Sequence, residues 1–313
     1  MRALFIASTR LGDAILSTGV LSWMLDQGYQ VTVACGPVAV PLFKDVPGVD
    51  RVVAMRKGPM GAHWRHLWAE TVGTKWDLVV DLRGSAFSWV VRTGERRFFR
   101  TLPGDAHRLE QLHSALQIPA GAPRLWIDSE SEDRAASLLP DRSRPILAVC
   151  PTANWPPKAW PTDRFLDLIG RLTEPGGRLE GAHVVVAGGP SERDLAEPVL
   201  NSVPEDRRID LVGTEPLMTL AACLRRVDLV VANDSGLMHL AAAAGAPTLG
   251  LFGPSRETHY APRGPRTAWV RSNDTASALL SRSGEVAGAP GALMGGLSVE
   301  TVYEGAVSLL DQS

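Results

Sequence analysis

The feature that most constrains the fold is an alternation. Short apolar runs of four or five residues, each followed by a helical pattern, recur along nearly the whole chain. In the first half, candidate strands fall at 3–7, 31–34, 51–54, 78–81 and 97–99, with helical patterns at 13–26 and 62–71. The pattern restarts after a charged helix at 129–139. Strands then fall at 146–150, 183–187, 209–212, 229–232 and 248–252, and helices open near Pro161, Ser191, Pro216 and Ser235. Apolar runs of this length suit strands covered on both faces, and strand–helix repetition predicts parallel, doubly wound sheets. The stretch 118–127 (I-P-A-G-A-P-R-L-W-I) is rich in Pro and Gly and has no helical period, so it predicts a linker. An α/β protein of two Rossmann-like domains, 1–127 and 128–297, facing across a cleft is therefore expected. Residues 272–297 are rich in Ser, Gly and Ala and predict an irregular surface loop. A Val/Tyr/Val/Leu stripe over 298–310 predicts a last helix.

A chain of 313 residues accommodates two ordinary domains. No apolar run approaches the ~20 residues of a membrane span, and residues 1–8 read as a first strand rather than a signal peptide. Cys35, Cys150 and Cys223 lie far apart in apolar contexts and predict buried free thiols in a reducing cytoplasm. The net charge of −2 conceals an asymmetry. Residues 1–127 hold 15 Lys/Arg against 10 Asp/Glu, and the remainder holds 17 against 24. A basic first half suits an anionic partner such as an acidic sugar or a lipid surface. The Trp-rich basic stretches around Trp64, Trp68, Trp89 and 96–100 are candidates for that face. Nucleic acid is not expected, because no recognisable module interleaves the basic residues with aromatics.

The richest local signal is V-V-A-N-D-S-G-L-M-H-L-A-A-A-A-G-A-P-T-L-G-L-F-G-P-S at 230–255. It reads as strand, turn, helix, stop and strand. Asp234, Ser235 and Gly236 open a helix at the C-terminal edge of a strand, where free N–H groups favour anions. His239 lies one turn in. A phosphate-bearing ligand fits this pattern, and so does a well-capped buried helix with a satisfied histidine. In C-P-T-A-N-W-P-P-K-A-W-P at 150–161, Thr152 follows a strand and Lys158 sits in a rigid Pro-rich turn. That lysine is either a fixed charge for a diphosphate or a solvated surface residue. In A-G-G-P-S-E-R at 187–193 the paired glycines permit close approach of a ligand. Glu192 or Arg193 then reaches ribose or phosphate, and Ser191 reads as an N-cap.

The first strand ends in S-T-R-L-G-D at 8–13. There is no G-x-G-x-x-G and no P-loop, so neither a dinucleotide cofactor nor a P-loop NTPase is expected. Asp13 is either a helix N-cap or a cleft carboxylate able to take a proton from a hydroxyl. No metal-ligand motif appears, and His63 and His66, beside Trp64 and Trp68, suit packing better than ligation. No nucleophile elbow is present.

Taken together, R-L-G-D at 10–13, D-L-V-V-D-L-R-G at 77–84, P-x-x-N-W-x-x-K-x-W-P at 151–161, V-V-V-A-G-G-P-S-E at 184–192, D-L-V-G at 210–213 and N-D-S-G-L-M-H-L-A-A-A-A-G-A-P at 233–247 resemble glycosyltransferase family 9, the heptosyltransferases of lipopolysaccharide core assembly. M-G-G-L-S-V-E-T-V at 294–302 looks like the family's terminal helix.

The resemblance implies a GT-B fold, with acceptor bound by the first domain, nucleotide sugar by the second, and the helix at 298–313 packing back on the first. It implies inverting, metal-independent transfer without a cofactor, from an ADP-linked heptose to a lipid-linked saccharide at the cytoplasmic face of the inner membrane. By position, Asp13 matches the general base and Lys158 a lysine on the donor phosphates. Asp234, Ser235, Gly236 and His239 match the diphosphate loop, and Thr152 and Glu192 match looser phosphate and ribose contacts. The chain departs from the family in lacking cysteines over 272–297. The loops around 57–68 and 84–100 match nothing readable, so the acceptor is left open. Another nucleotide sugar, a GT-B epimerase and a non-catalytic nucleotide-sugar-binding protein are the alternatives.

Overall fold

In the computed structural model, which describes residues 1–100, 104–140, 143–284 and 288–312, the chain divides into two compact units, Met1–Trp126 and Ile127–Ser313. The first is built on five parallel strands: β1 (Arg2–Ile6), β2 (Gln30–Cys35), β3 (Val49–Ala54), β4 (Trp76–Asp81) and β5 (Thr93–Phe98). Their order is β3-β2-β1-β4-β5. Its helices are α1 (Leu11–Leu16), α2 (Thr18–Asp26), α3 (Ala62–Thr71) and α4 (Arg108–Leu116).

The single helix expected over 13–26 is two. Ser17 and Thr18 donate their hydroxyls to the carbonyls of Ala14 and Ile15, each at 2.7 Å. Such side-chain bonds to carbonyls of the preceding turn compete with the helical ladder and bend it. Thr18 Oγ1 also accepts from the N–H of Arg124 at 2.9 Å, which pins the stretch expected to be a linker. That stretch carries no helix or strand. Helix α4 was not anticipated, because buried Gln111 and His113 interrupt its apolar stripe. β5 starts four residues earlier than expected. As an edge strand of sequence T-G-E-R-R-F it lacks the apolar run that marks a covered one.

The second unit holds six parallel strands: β6 (Ile146–Cys150), β7 (His183–Gly188), β8 (Arg208–Val212), β9 (Leu229–Asn233), β10 (Thr248–Phe252) and β11 (Thr267–Arg271). Their order is β11-β10-β9-β6-β7-β8. The helices are α5 (Ser129–Leu138), α6 (Thr162–Thr173), α7 (Arg193–Ser202), α8 (Leu217–Arg225), α9 (Gly236–Ala244), α10 (Glu257–Tyr260), α11 (Ala276–Ser281) and α12 (Val299–Leu310). The core stacks Leu147, Val149, Val184, Val186 and Val231 of the sheet against Phe165 and Leu168 of α6. Each sheet has one topological switch point, where successive connections leave in opposite directions. It lies between β1 and β4 in the first and between β6 and β9 in the second. Ligands of open α/β sheets bind beyond the C-terminal ends of such strands.

Two expectations are corrected here. Helix α12, expected against the first unit, belongs to the second. Val302, Ala306 and Leu309 are fully buried in its core, and the helix lies against α6, β10 and β11. Strand β11, which was not anticipated, supplies the surface that this apolar stripe covers. Residues 272–297 are not wholly a surface loop either. They include α11, and Leu293, Met294 and Leu297 are buried in the same core. Residues 285–287 of that stretch lie outside those described. Among the described residues no helix is long and apolar enough to cross a membrane.

Candidate functional site

At the second unit's switch point, the segments following β6 and β9 are tied together side chain by side chain. Asn233 ends β9 and is fully buried. Its Oδ1 accepts from the N–H of Trp160 at 2.8 Å. The buried Trp160 ring packs edge-on against Phe165 and donates its Nε1–H to the carbonyl of Leu297 at 2.9 Å. The Pro156–Lys158 turn between them is a single 3-10 turn. Its carbonyls at Pro156 and Pro157 accept from Gly291 and Leu293. Residues 291–297 therefore buttress the turn that carries Lys158, a role their small-residue composition did not signal.

Held this way, Lys158 Nζ lies 3.2 Å from Asp234 Oδ2, with only 16% of the lysine side chain and 12% of the aspartate exposed. The solvated surface lysine weighed from sequence is excluded. Ser235 is the N-cap of α9, yet among the described residues its side chain makes no capping bond and its buried Oγ has no hydrogen-bond partner. A buried polar atom left this way invites a ligand or water. Gly236 begins the helix, and His239 is buried one turn further on. The helix ends at Gly245, as expected.

Beyond the ends of β6 and its neighbour β7, Thr152 Oγ1 donates to Glu192 Oε2 at 2.8 Å, and the same carboxylate oxygen accepts from the N–H of Gly189 at 2.7 Å. Thr152 and Glu192 thus share one place beside Gly188, whose notional Cβ would sit 3.5 Å from Thr152 Oγ1. Arg193, weighed as a ribose or phosphate contact, is committed elsewhere. It holds both oxygens of Asp210 at 2.7 and 3.1 Å and the carbonyl of Val212. Burial alone would raise the Asp210 carboxyl, but the bonds from Arg193 hold it below its ordinary value. Ser191 is not the cap of α7, because the N-cap residue is Glu192.

In the first unit, Asp13 is the third residue of α1, whose N-cap is Arg10. The capping role weighed for Asp13 is therefore not the one it has. Its carboxylate is 22% exposed and lies 3.8 Å from Arg108 Nε. Arg108 in turn stacks on Phe99, 4.0 Å from the ring centroid. A partly exposed carboxylate in the first helix after β1, beside a guanidinium, can accept a proton from a hydroxyl.

The Trp-rich face resolves into separate pieces. Trp64 is stacked on Phe87 at 5.6 Å, whereas Trp68 and Trp89 are exposed. His63 packs on Trp64. The three cysteines are buried and unpaired. Burial pushes Cys35 and Cys150 up to about 12 and Cys223 up to about 11, so they are inert thiols. Among the described residues no group of three or more His, Cys, Asp or Glu could hold a metal ion.

Two doubly wound parallel units in one chain, the second with an anion-ready helix start at its switch point, define the GT-B type of fold found in nucleotide-sugar glycosyltransferases. The family model Glycosyltransferase family 9 (heptosyltransferase) matches residues 106–286, more than half the sequence, and the chain belongs to that family of glycosyltransferases. The chain is 24% identical over 315 residues to lipooligosaccharide heptosyltransferase 2 of Haemophilus influenzae, covering 87% of this chain and 88% of that one. Among solved structures, the family 9 glycosyltransferase of Veillonella parvula superposes with a TM-score of 0.81 at 22% identity, covering 100% of this chain and 98% of that one. The E. coli ADP-heptose lipopolysaccharide heptosyltransferase II follows with a TM-score of 0.76 at 20% identity, covering 100% and 99%.

Proposed function

We propose that this enzyme transfers a heptose from ADP-heptose to an acceptor of the lipopolysaccharide-core type, with inversion at the anomeric carbon and without a metal or cofactor. The observation that carries the donor half is the Lys158–Asp234 pair next to the buried Ser235 hydroxyl at the start of α9, which has no hydrogen-bond partner among the described residues. The heptosyltransferase relatives support the choice of sugar. The donor diphosphate is assigned to the N–H groups at Ser235 and Gly236, with Lys158 supplying the positive charge and Thr152 and Glu192 the flanking polar contacts. His239 backs this wall.

The acceptor is assigned to the first unit, with Asp13 as the general base. The acceptor oxygen attacks the anomeric carbon as the bond to the diphosphate breaks. The hydroxyl proton passes to Asp13, and ADP leaves with the electron pair. Taking that proton contributes roughly 10²–10⁴-fold. Lys158 and the helix start stabilise the departing charge.

Reaction of the purified protein with ADP-heptose and a heptose-free core acceptor tests the proposal. Transfer with inverted configuration, unaffected by exhaustive chelation, is expected. Transfer only from another nucleotide sugar would replace the donor, and chelator-sensitive turnover would overturn the metal-free route. The proposal places the enzyme at the cytoplasmic face of the inner membrane, where it meets a lipid-linked acceptor. The exposed Trp89 and Val90, close in sequence to Arg92, Arg96 and Arg100, are the surface proposed to rest there. Salt-sensitive binding to anionic liposomes is expected, and no binding at low salt would remove the membrane contact.

A further inference from the structure

The setting of Arg83 in the first unit is left unused by the assignments above. Arg83 follows β4, the strand across the switch point from β1, which leads into α1 and Asp13. Its backbone is held rigidly. Asp81, fully buried at the end of β4, accepts from the N–H groups of Arg83 (2.8 Å) and Ser85 (3.0 Å) and from the Ser85 hydroxyl (2.5 Å). Gly84 makes that return possible with a φ of +57°, a conformation other residues rarely adopt.

The side chain is equally constrained. The guanidinium lies on the face of Trp64, 4.5 Å from the centroid, and Trp64 is itself stacked on Phe87 of the following turn. The two segments that sequence alone left unread, around 57–68 and 84–100, thus meet beneath Arg83.

What this guanidinium lacks is an acceptor. Among the described residues its one hydrogen bond goes to the weakly accepting Sδ of Met55 at 3.5 Å, and no carboxylate lies within ion-pair distance. The oxygens of nearby Asp81 are already occupied by the loop. Three other arginines of this unit have oxygen partners. Arg51 holds Glu70, Arg96 holds two carbonyls, and Arg97 holds Glu95 and two carbonyls. A half-buried guanidinium with five N–H donors is costly to leave without oxygen partners, and its planar fork matches a carboxylate or phosphate. Stacking on an aromatic face fixes the plane in which that fork points.

We propose that Arg83 is a specificity-determining residue of the acceptor site, where its guanidinium, stacked on Trp64, receives an oxyanion of the acceptor, either a carboxylate or a phosphate. This rests on the assignment of the acceptor to the first unit. The bound oxyanion orients the sugar so that a hydroxyl is presented to the Asp13 side of the same sheet edge. Arg83 takes no part in the proton transfer.

The test compares the wild type, Arg83→Met and Arg83→Lys, with Arg83→Met keeping the packing on Trp64 without the charge. Three heptose-free core acceptors are used: untreated, with carboxylates reduced to alcohols, and with phosphates removed. Arg83→Met is expected to raise the acceptor KM at least tenfold with the ADP-heptose KM within twofold, and Arg83→Lys to fall between. One modified acceptor should cost the wild type tenfold and Arg83→Met little, which identifies the oxyanion. A folded Arg83→Met enzyme with an unchanged acceptor KM would overturn the proposal, as would an equal loss on all three acceptors. If Arg83→Met does not fold, the wild type decides, because no discrimination among the three acceptors overturns it. If the wild type transfers no heptose, the functional reading fails by itself. Arg83 is then judged by calorimetric binding of the untreated acceptor, where equal affinity for wild type and Arg83→Lys overturns the proposal.

Discussion

At the scale of single residues, the donor site depends on a charge placed by rigid neighbours. Lys158 is the point charge of the proposed diphosphate site, and its partner Asp234 holds it in position. Lys158→Ala is expected to weaken ADP binding at least tenfold, as read by calorimetry, while leaving the fold intact. Asp13→Asn removes the proton acceptor without removing volume. Turnover is expected to fall about 10²–10⁴-fold with ADP affinity nearly unchanged, in line with the contribution of a general base.

The buried thiols carry a pH signature. In the folded protein Cys150 is pushed up to about 12 from 9.0. Between those values the unfolded chain loses a proton that the folded chain keeps. The stabilisation is therefore complete below about pH 9 and lost as pH rises towards 12. Urea unfolding at a series of alkaline pH values should show a shallower decline for Cys150→Ala than for the wild type.

At the scale of elements, the loops at the strand ends are braced against one another more tightly than their glycine-rich sequences suggest. Gly213, which closes D-L-V-G after β8, has a φ of +67°, and a Cβ there would sit 2.4 Å from Cα of Pro190. Its N–H donates to the carbonyl of Gly188 at 2.9 Å, so the β8 and β7 loops touch directly below Glu192. Gly213→Ala is expected to destabilise the protein by about 1–3 kcal/mol in denaturant unfolding and to weaken ADP binding by displacing the 188–192 turn.

The same scale shows where sequence patterns sufficed. β6 and β10 lie at their expected positions, because a fully covered strand is an unbroken apolar run. Edge strands β5 and β11 and the polar-cored α4 were missed or misplaced. Their burial is partial, so their composition is mixed.

At the scale of the whole molecule, the proposed donor residues all belong to the second unit. Saturation with ADP at about 100 times its Kd is expected to stabilise that unit by about 2.7 kcal/mol, visible as a rise in melting temperature. UDP, GDP and CDP are expected to give smaller shifts. A shift with UDP alone would reject the ADP-linked donor. The amino-acid sequence by itself determined the α/β class, most of the strands and helices, and the motifs at their ends, because periodicity and turn chemistry are local properties of the backbone. Only the tertiary structure decided which strands are neighbours. It brought Lys158 to Asp234 across 76 positions and Thr152 to Glu192 across 40, laid Arg83 on Trp64, and buried α12 in the second unit. Those pairings depend on sheet order and on the shape of the packed interior, and neither leaves a periodic trace along the chain.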